Sequence, residues 1–287
     1  MFDLIYLIVA FSGSILASAW DLKTTEIPDE IPYLMILIAL TLHLIEALIA
    51  WDYQPLLNSL LVGLGFLGFG FLMYYAGQWG GGDAKLLAAI GFLLPSLSKN
   101  FSPKLILPFP LSYLFNVFLI GAAYMLLYAF ILALIKRKIL KRFFEDVKAN
   151  SRLLTFGSIF LFTLFLLLNW FLSVYFKVKF ELLFSLKYSF LPMILTLAVF
   201  LLWKFAKAVE EVGFKKRIPV SKLKVGDVLE ESKLWEGITE KELRKIKKSG
   251  RKYVVIKEGV RFAPAFPLAL IFTLWFGDYL LIFLNLM

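Results

Sequence analysis

The chain has 287 residues, 60% of them hydrophobic, with a mean hydropathy of +0.80. Soluble domains average about 45–50% apolar residues, so this composition excludes one and points to a polytopic membrane protein. The net charge of +10 accompanies long apolar runs, which places the basic residues at a membrane surface and argues against nucleic acid as a partner. With no cysteine there is no disulfide framework, Cys-based zinc site or thiol nucleophile. The single histidine, His43, leaves no Ser-His-Asp triad unless it serves in one. No cofactor or metal is expected, and chemistry falls to carboxylates, hydroxyls, amines or backbone.

A span needs about 20 apolar residues. Leu4–Trp20 carries no charge and is the first candidate. It is too long and too poor in basic flanking residues for a cleaved signal peptide. Ile31–Trp51 is the second, entered through Pro28 and Pro32 and carrying His43 and Glu46. Leu56–Ala76 is the third, and its Gly63 and Gly70 share one helix face that admits a close neighbour. Ala84–Leu97, with Lys85 at its start, reads as a short or partly inserted helix. Leu105–Ile135 is broken by Pro108 and Pro110, giving a helix from about Tyr113. Leu153–Phe176, Tyr188–Phe205 and Ala263–Met287, the last interrupted by Asp278, complete the set. The expected fold is an all-α polytopic membrane protein of about eight transmembrane helices, seven if 84–97 does not cross.

Residues 206–262 are a different kind of sequence, polar and rich in turn signals. Val225-Gly226-Asp227 marks a turn. Thr239 with Glu242 fits a capping box opening a short helix, and Gly250 is a natural stop. Lys252–Lys257 reads as a strand. The expected domains are a membrane domain over 1–205, a small basic α+β insert over 206–262 and a last helix over 263–287. Placing the N-terminus outside puts 26 basic residues in the inner segments and 5 in the outer ones. The positive-inside rule then makes the insert cytoplasmic, in a cell membrane crossed several times.

Two places on that inner side can carry chemistry. One is Asp21, after Trp20 at the end of the first span. The other is Gly80-Gly81-Gly82-Asp83, ahead of the short fourth helix. Two carboxylates at one depth, on elements free to pack together, are what aspartic proteolysis requires. One takes a proton from water while the other, kept protonated, polarises the scissile carbonyl. Three successive glycines let the backbone approach an extended substrate closely. Taken singly, each aspartate also fits a solvated helix cap.

Gly80-Gly81-Gly82-Asp83 fits a G-x-G-D motif. With Asp21 and Pro28 after an apolar first span, and Ala84-Lys85-Leu86 after the second aspartate, the chain resembles the type IV prepilin peptidases, the G-x-G-D membrane aspartic proteases. The run Lys257-Glu258-Gly259-Val260-Arg261-Phe262-Ala263-Pro264-Ala265-Phe266 is similar to the C-terminal region of the archaeal branch, which includes the preflagellin peptidases. The resemblance covers residues 1–97 and 215–287. It implies an endopeptidase that cuts leader peptides from prepilin or preflagellin precursors at the cytoplasmic membrane face, with Asp21 and Asp83 as the catalytic pair. It gives no support for the N-methyl transfer of some bacterial members, whose cysteine-containing domain is missing here. The presenilin and signal-peptide-peptidase type shares G-x-G-D but carries its first aspartate inside a span and a Pro-Ala-Leu signature. Here Asp21 ends a span and Pro264-Ala265-Phe266 stands instead, so cutting within the bilayer is the lesser alternative. An ion- or proton-coupled transporter is another, though it would place ionisable groups nearer the midplane.

The loop Asp21–Glu30 has a net charge of −3 on an otherwise basic face. Since leader peptides of the family are basic before the cut, Glu26, Asp29 and Glu30 are candidate substrate-binding residues. Lys85 is another, acting on its neighbour Asp83 or reaching lipid phosphates. Surrounding lysines and Lys136, Arg137, Lys138, Lys141 and Arg142 are expected to meet anionic lipid head groups. His43 and Glu46, three apart on one helix face, read as a structural pair on the outer side, and Asp278 as an outer interfacial residue.

Overall fold

The computed structural model describes residues 2–98, 101, 105–232 and 237–278. Of the described residues 75% are helical, and the protein is a multi-pass membrane protein. Among the described residues, six helices are long and apolar enough to cross a bilayer. They are α1 (Phe2–Thr24), α2 (Glu30–Ala50), α3 (Gln54–Tyr75), α5 (Phe109–Ile135), α7 (Ser151–Tyr175) and α8 (Leu182–Ala208). Two further apolar helices are short: α4 (Gly81–Leu93) and α10 (Ala265–Phe276). The amphipathic α6 (Arg137–Ala149) and the small α9 (Glu240–Lys248) complete the helices. Of the expected last span, 279–287 lies outside the described residues, as does most of the 98–104 loop.

The helices form where the chain offers long apolar stretches, with Pro192 standing inside α8, and where stray polar groups satisfy themselves. In α1 the Ser14 hydroxyl donates to the Phe11 carbonyl and that of Ser18 to the Ser14 carbonyl. Helix α5 begins at Phe109, earlier than the expected Tyr113. Pro110 falls in its first turn, where the missing N–H would have had no intrahelical partner. Asp278 then anchors the approach to α5, accepting the N–H of Ile106 at 2.5 Å and of Leu107 at 2.9 Å.

The chain divides into two compact units. Residues 129–215 make one, in which α7 and α8 pair and Ile139 of α6 is buried with Ala133, Ala208 and Val209. A π-helical turn, Val209–Phe214, follows α8. Residues 1–128 and 216–287 make the other, built around α4.

At 13 residues α4 is about 20 Å long, too short to cross about 30 Å of hydrocarbon alone. It is instead the centre of its unit: Ala84 and Leu86–Leu93, Gly91 included, are all buried, among α1, α2 and α3. The glycine face of α3 receives it. A Cβ on Gly70 would stand 2.8 Å from the Ala84 Cα, and one on Gly63 would overlap the Phe92 ring.

The insert forms a three-stranded sheet in the order β1 (Lys215–Pro219), β3 (Tyr253–Lys257), β2 (Val228–Leu229). Strands β2 and β3 are antiparallel, with Val228 opposite Lys257. Its core is Val220, Leu223, Ile238 and Val254. The Thr239–Glu242 capping box opens α9, and Gly250 follows it at φ +73°.

The α3–α4 seam yields a paired test. Gly70→Ala forces α3 away from the Ala84 backbone and should cost about 1–3 kcal/mol, read as a lowered melting temperature in detergent. Gly65→Ala, with no atom within 4 Å of its added Cβ, should leave the melting temperature unchanged or raise it.

Candidate active site

Asp21 occupies the last turn of α1, and Asp83 the first turn of α4. Both line a single cavity of about 870 Å³. The floor adds Gly80, Gly81 and Gly82, one wall is Thr24–Ile27, and the other is the insert, through Lys224–Val228, Gly237 and Ile256–Val260.

Each carboxylate has one oxygen fixed by a backbone amide. Asp21, 4% exposed, accepts the Ala263 N–H at Oδ2, 3.0 Å away. Asp83 accepts the Gly80 N–H at Oδ2, 3.1 Å away, which closes a cap at the start of α4. Gly80 is extended there at ψ 158°, and a Cβ on Gly82 would press on Ile27 at 2.9 Å. The glycine run therefore serves both the turn into α4 and the contact with the α1–α2 loop. Withdrawal from water and, after it, the charge of Asp21 push the Asp83 carboxyl up to about 7, against the smaller opposing pull of the Gly80 N–H. Near neutral pH the Asp83 carboxyl is thus able both to hold and to release a proton.

The α1 end is locally strained. Thr25 stands at φ +62°, a left-handed conformation costly for a β-branched residue, and its N–H donates to the Asp21 carbonyl at 2.8 Å. Around it the segment from Glu258 to Ala263 closes the site. Arg261 donates from Nε to the Leu22 carbonyl at 3.0 Å and from Nη1 to the Tyr128 hydroxyl at 2.8 Å. Phe262 packs beside Trp79, with ring centroids 5.7 Å apart.

Of the three acidic residues expected to bind substrate, Glu26 lines the cavity. Asp29 is paired with Lys85, whose Nζ lies 2.6 and 2.7 Å from its two carboxylate oxygens and 5.5 Å above the Tyr33 ring. Glu30 is exposed at the first position of α2. The insert brings two acids that sequence reasoning did not single out, Asp227 and Glu258. The lining thus holds Asp21, Glu26, Asp83, Asp227 and Glu258 against Lys224 and Lys257, and the Lys257 ammonium donates to the Ser232 carbonyl. His43 and Glu46 lie elsewhere. His43 is 3% exposed, stacks on Tyr6 at 4.1 Å, and stands 3.4 Å from Glu46, which also accepts the Tyr6 hydroxyl. Among the described residues no three His, Asp or Glu side chains gather as a metal-ligand set.

Residues 8–135 match the type IV leader peptidase family. Prepilin peptidase EppA of Methanothermobacter thermautotrophicus is 26% identical over 156 residues, 51% of this chain and 40% of that protein. A preflagellin peptidase of Methanocaldococcus jannaschii is 33% identical over 92 residues, 32% of this chain and 39% of that protein. The matched part therefore spans about two fifths of each of these curated relatives.

The strain at Thr25 gives a test independent of activity. Asparagine tolerates left-handed backbone better, so Thr25→Asn should raise the melting temperature in detergent by a few degrees, about 0.5–1 kcal/mol.

Proposed function

We propose that this chain, whose residues 8–135 belong to the type IV leader peptidase family, is a membrane-embedded aspartic endopeptidase that removes short basic leaders from prepilin-like or preflagellin-like precursors. The observation that carries the reading is the convergence of Asp21 and Asp83 on one cavity, with Asp83 the better proton holder.

In this mechanism Asp83 enters protonated and Asp21 charged. Water attacks the scissile carbonyl carbon, giving its proton to Asp21, while the Asp83 proton passes to the carbonyl oxygen. The resulting gem-diol collapses: the C–N bond breaks, Asp21 returns its proton to the leaving amine, and Asp83 recovers the proton of the diol hydroxyl. The pair titrates as a unit, because two like charges in one desolvated space resist coexisting. The amides of Ala263 and Gly80 fix one oxygen of each carboxyl, so neither must reorganise as charge moves.

The division of basic residues, 26 to 5 when eight crossings are counted with the 84–97 segment as one of them, supports a cytoplasmic position for the cavity and the insert. Glu26, with Glu30 nearby, receives the basic residues of the leader, while Asp29 is neutralised by Lys85 and leaves that role to them. Arg137, Lys138, Lys141 and Arg142 on α6 bind anionic lipid at about 1 kcal/mol each. No methyl transfer to the new N-terminus belongs to this reading.

Co-expression with a leader-bearing prepilin or preflagellin precursor tests the reading. The wild-type chain should shorten the precursor, and Asp21→Asn and Asp83→Asn should each reduce cleavage by at least about 10³-fold. Full activity in either variant would remove the dyad. The proton on Asp83 sets the direction with pH: it is held below about pH 7 and lost above it, so kcat should fall on the alkaline side of about 7. Glu26→Lys should raise KM for a basic leader several-fold and leave a leader with its basic residues neutralised unaffected.

A further inference from the structure

The segment that follows β3 connects the insert to the catalytic end of α1. Within six residues, Glu258 to Ala263, it contributes four cavity-lining positions, one of them the aromatic wedge Phe262, together with a guanidinium bound to α1 and the amide that meets Asp21. We propose that Arg261 is a positioning residue for Asp21: it pins this strap to the end of α1 so that the Ala263 N–H is held against the carboxylate. The inference rests on the protease reading for its kinetic consequence, though not for its structural one.

Four observations converge on it. The Arg261 Nε–H bonds the carbonyl of Leu22, the residue next to Asp21, at 3.0 Å. That carbonyl belongs to the last turn of α1, where helical carbonyls lack intrahelical partners and a cation is favoured. The Nη1–H bonds the Tyr128 hydroxyl at 2.8 Å, so the planar fork is held between two elements rather than by one flexible arm. Gly259 lies so close to Thr25 that an added Cβ would be 3.1 Å from the Thr25 carbonyl oxygen and 3.2 Å from its Cβ. Phe262 completes the seating. It fills the space a Cβ on Gly121 would need, at 2.8 Å, and it meets Trp79 and Phe266 at 5.7 Å.

The geometry also says what loss of Arg261 does. Ala263 is buried and its amide has one acceptor, a carboxylate oxygen in a site 4% exposed. A strap displaced by a fraction of an ångström weakens that bond and turns the carboxyl away from the water it must deprotonate. A misplacement of about 1 Å at a reacting group costs on the order of 100-fold in rate. Because Arg261 binds protein groups, substrate affinity should change little.

Absence of native cysteine makes a direct test possible. In full-length protein in detergent, Thr25→Cys with Gly259→Cys brings two cysteine Cβ atoms to 3.2 Å, a few tenths of an ångström inside the ordinary disulfide range, so a small outward shift of the strap lets the sulfurs bond. Mild oxidation should therefore join them rapidly. Adding Arg261→Gln should slow the joining at least about five-fold, with Arg261→Lys, which keeps the charge and loses the fork, in between. In the cysteine-free background, Arg261→Gln should lower kcat roughly 10- to 100-fold with KM within about two-fold, and Arg261→Lys should recover part of it. An unchanged joining rate overturns the proposal whether or not any precursor is cleaved. So does an unchanged kcat in a preparation where Asp21→Asn is inactive, or a raised KM at constant kcat, which would make Arg261 a substrate-binding group. If the wild-type chain leaves every precursor intact, the protease reading falls while the joining rate still decides whether Arg261 holds the strap. If Arg261→Gln does not fold, Arg261→Lys carries the comparison alone, and a wild-type joining rate and kcat in it overturn the proposal.

Discussion

Two carboxyl groups sharing one poorly hydrated cavity cannot both be charged without large cost, and the surroundings of Asp21 and Asp83 answer to that constraint. Desolvation and mutual repulsion act in the same direction, favouring a single negative charge between them. A lone buried carboxylate would be stabilised by a nearby cation. Here each carboxyl instead has one backbone amide, from Ala263 or Gly80, while the Arg261 guanidinium donates to Leu22 and Tyr128. A cation bound directly to either carboxyl would favour full ionisation and remove the shared proton. Amide donors fix geometry while opposing the shared proton only weakly, as the small pull of the Gly80 N–H on Asp83 illustrates.

That arrangement explains why α4 is short and central. A helix starting at Gly81 brings Asp83 into its first turn, near the depth of the last turn of α1. Gly80 caps that start in extended backbone, which leaves its N–H free to meet the Asp83 carboxylate. The shortness of α4 then demands that other helices cover it, and the flat glycine face of α3 is the sequence's means of doing so. The long helices α7 and α8 have no such demand, and their side chains are largely exposed, as lipid-facing helices are.

Local features were legible in the sequence to the extent that their causes are local. Apolar runs, the Thr239–Glu242 capping box, the Gly250 stop and the 253–257 strand depend on residues a few positions apart. The start of α5 was misjudged because Pro110 was read as a breaker, whereas a first-turn proline costs no hydrogen bond. The Asp21–Ala263 bond joins residues 242 apart through a main-chain N–H, a group every residue but proline possesses, so no residue type announces it. Arg261 carries no signal of its own in the sequence beyond its place in the 257–266 run. Asp29 and Lys85 each looked available, and 56 residues of separation hid that they neutralise each other. The unusual backbone at Thr25 had no signal, since threonine is not the residue that left-handed turns favour.

The charge distribution links these parts. Over the whole chain basic residues exceed acidic ones by 10, while the cavity is lined by five acidic groups and two lysines. A positively charged surface favours an anionic bilayer and disfavours a basic peptide except where the local potential reverses. Reversal inside a concave, poorly hydrated cleft is where field lines concentrate, so a cationic segment is drawn to the place where the two aspartates stand. The insert supplies part of that reversal through Asp227, while Glu258 is partly offset by Lys216 at 3.3 Å, and from Glu258 the chain runs directly into the segment whose Ala263 N–H meets Asp21. In the proposed reading the same short stretch faces what enters the cavity and holds Asp21, which gives a polar insert between apolar helices a physical reason to be there.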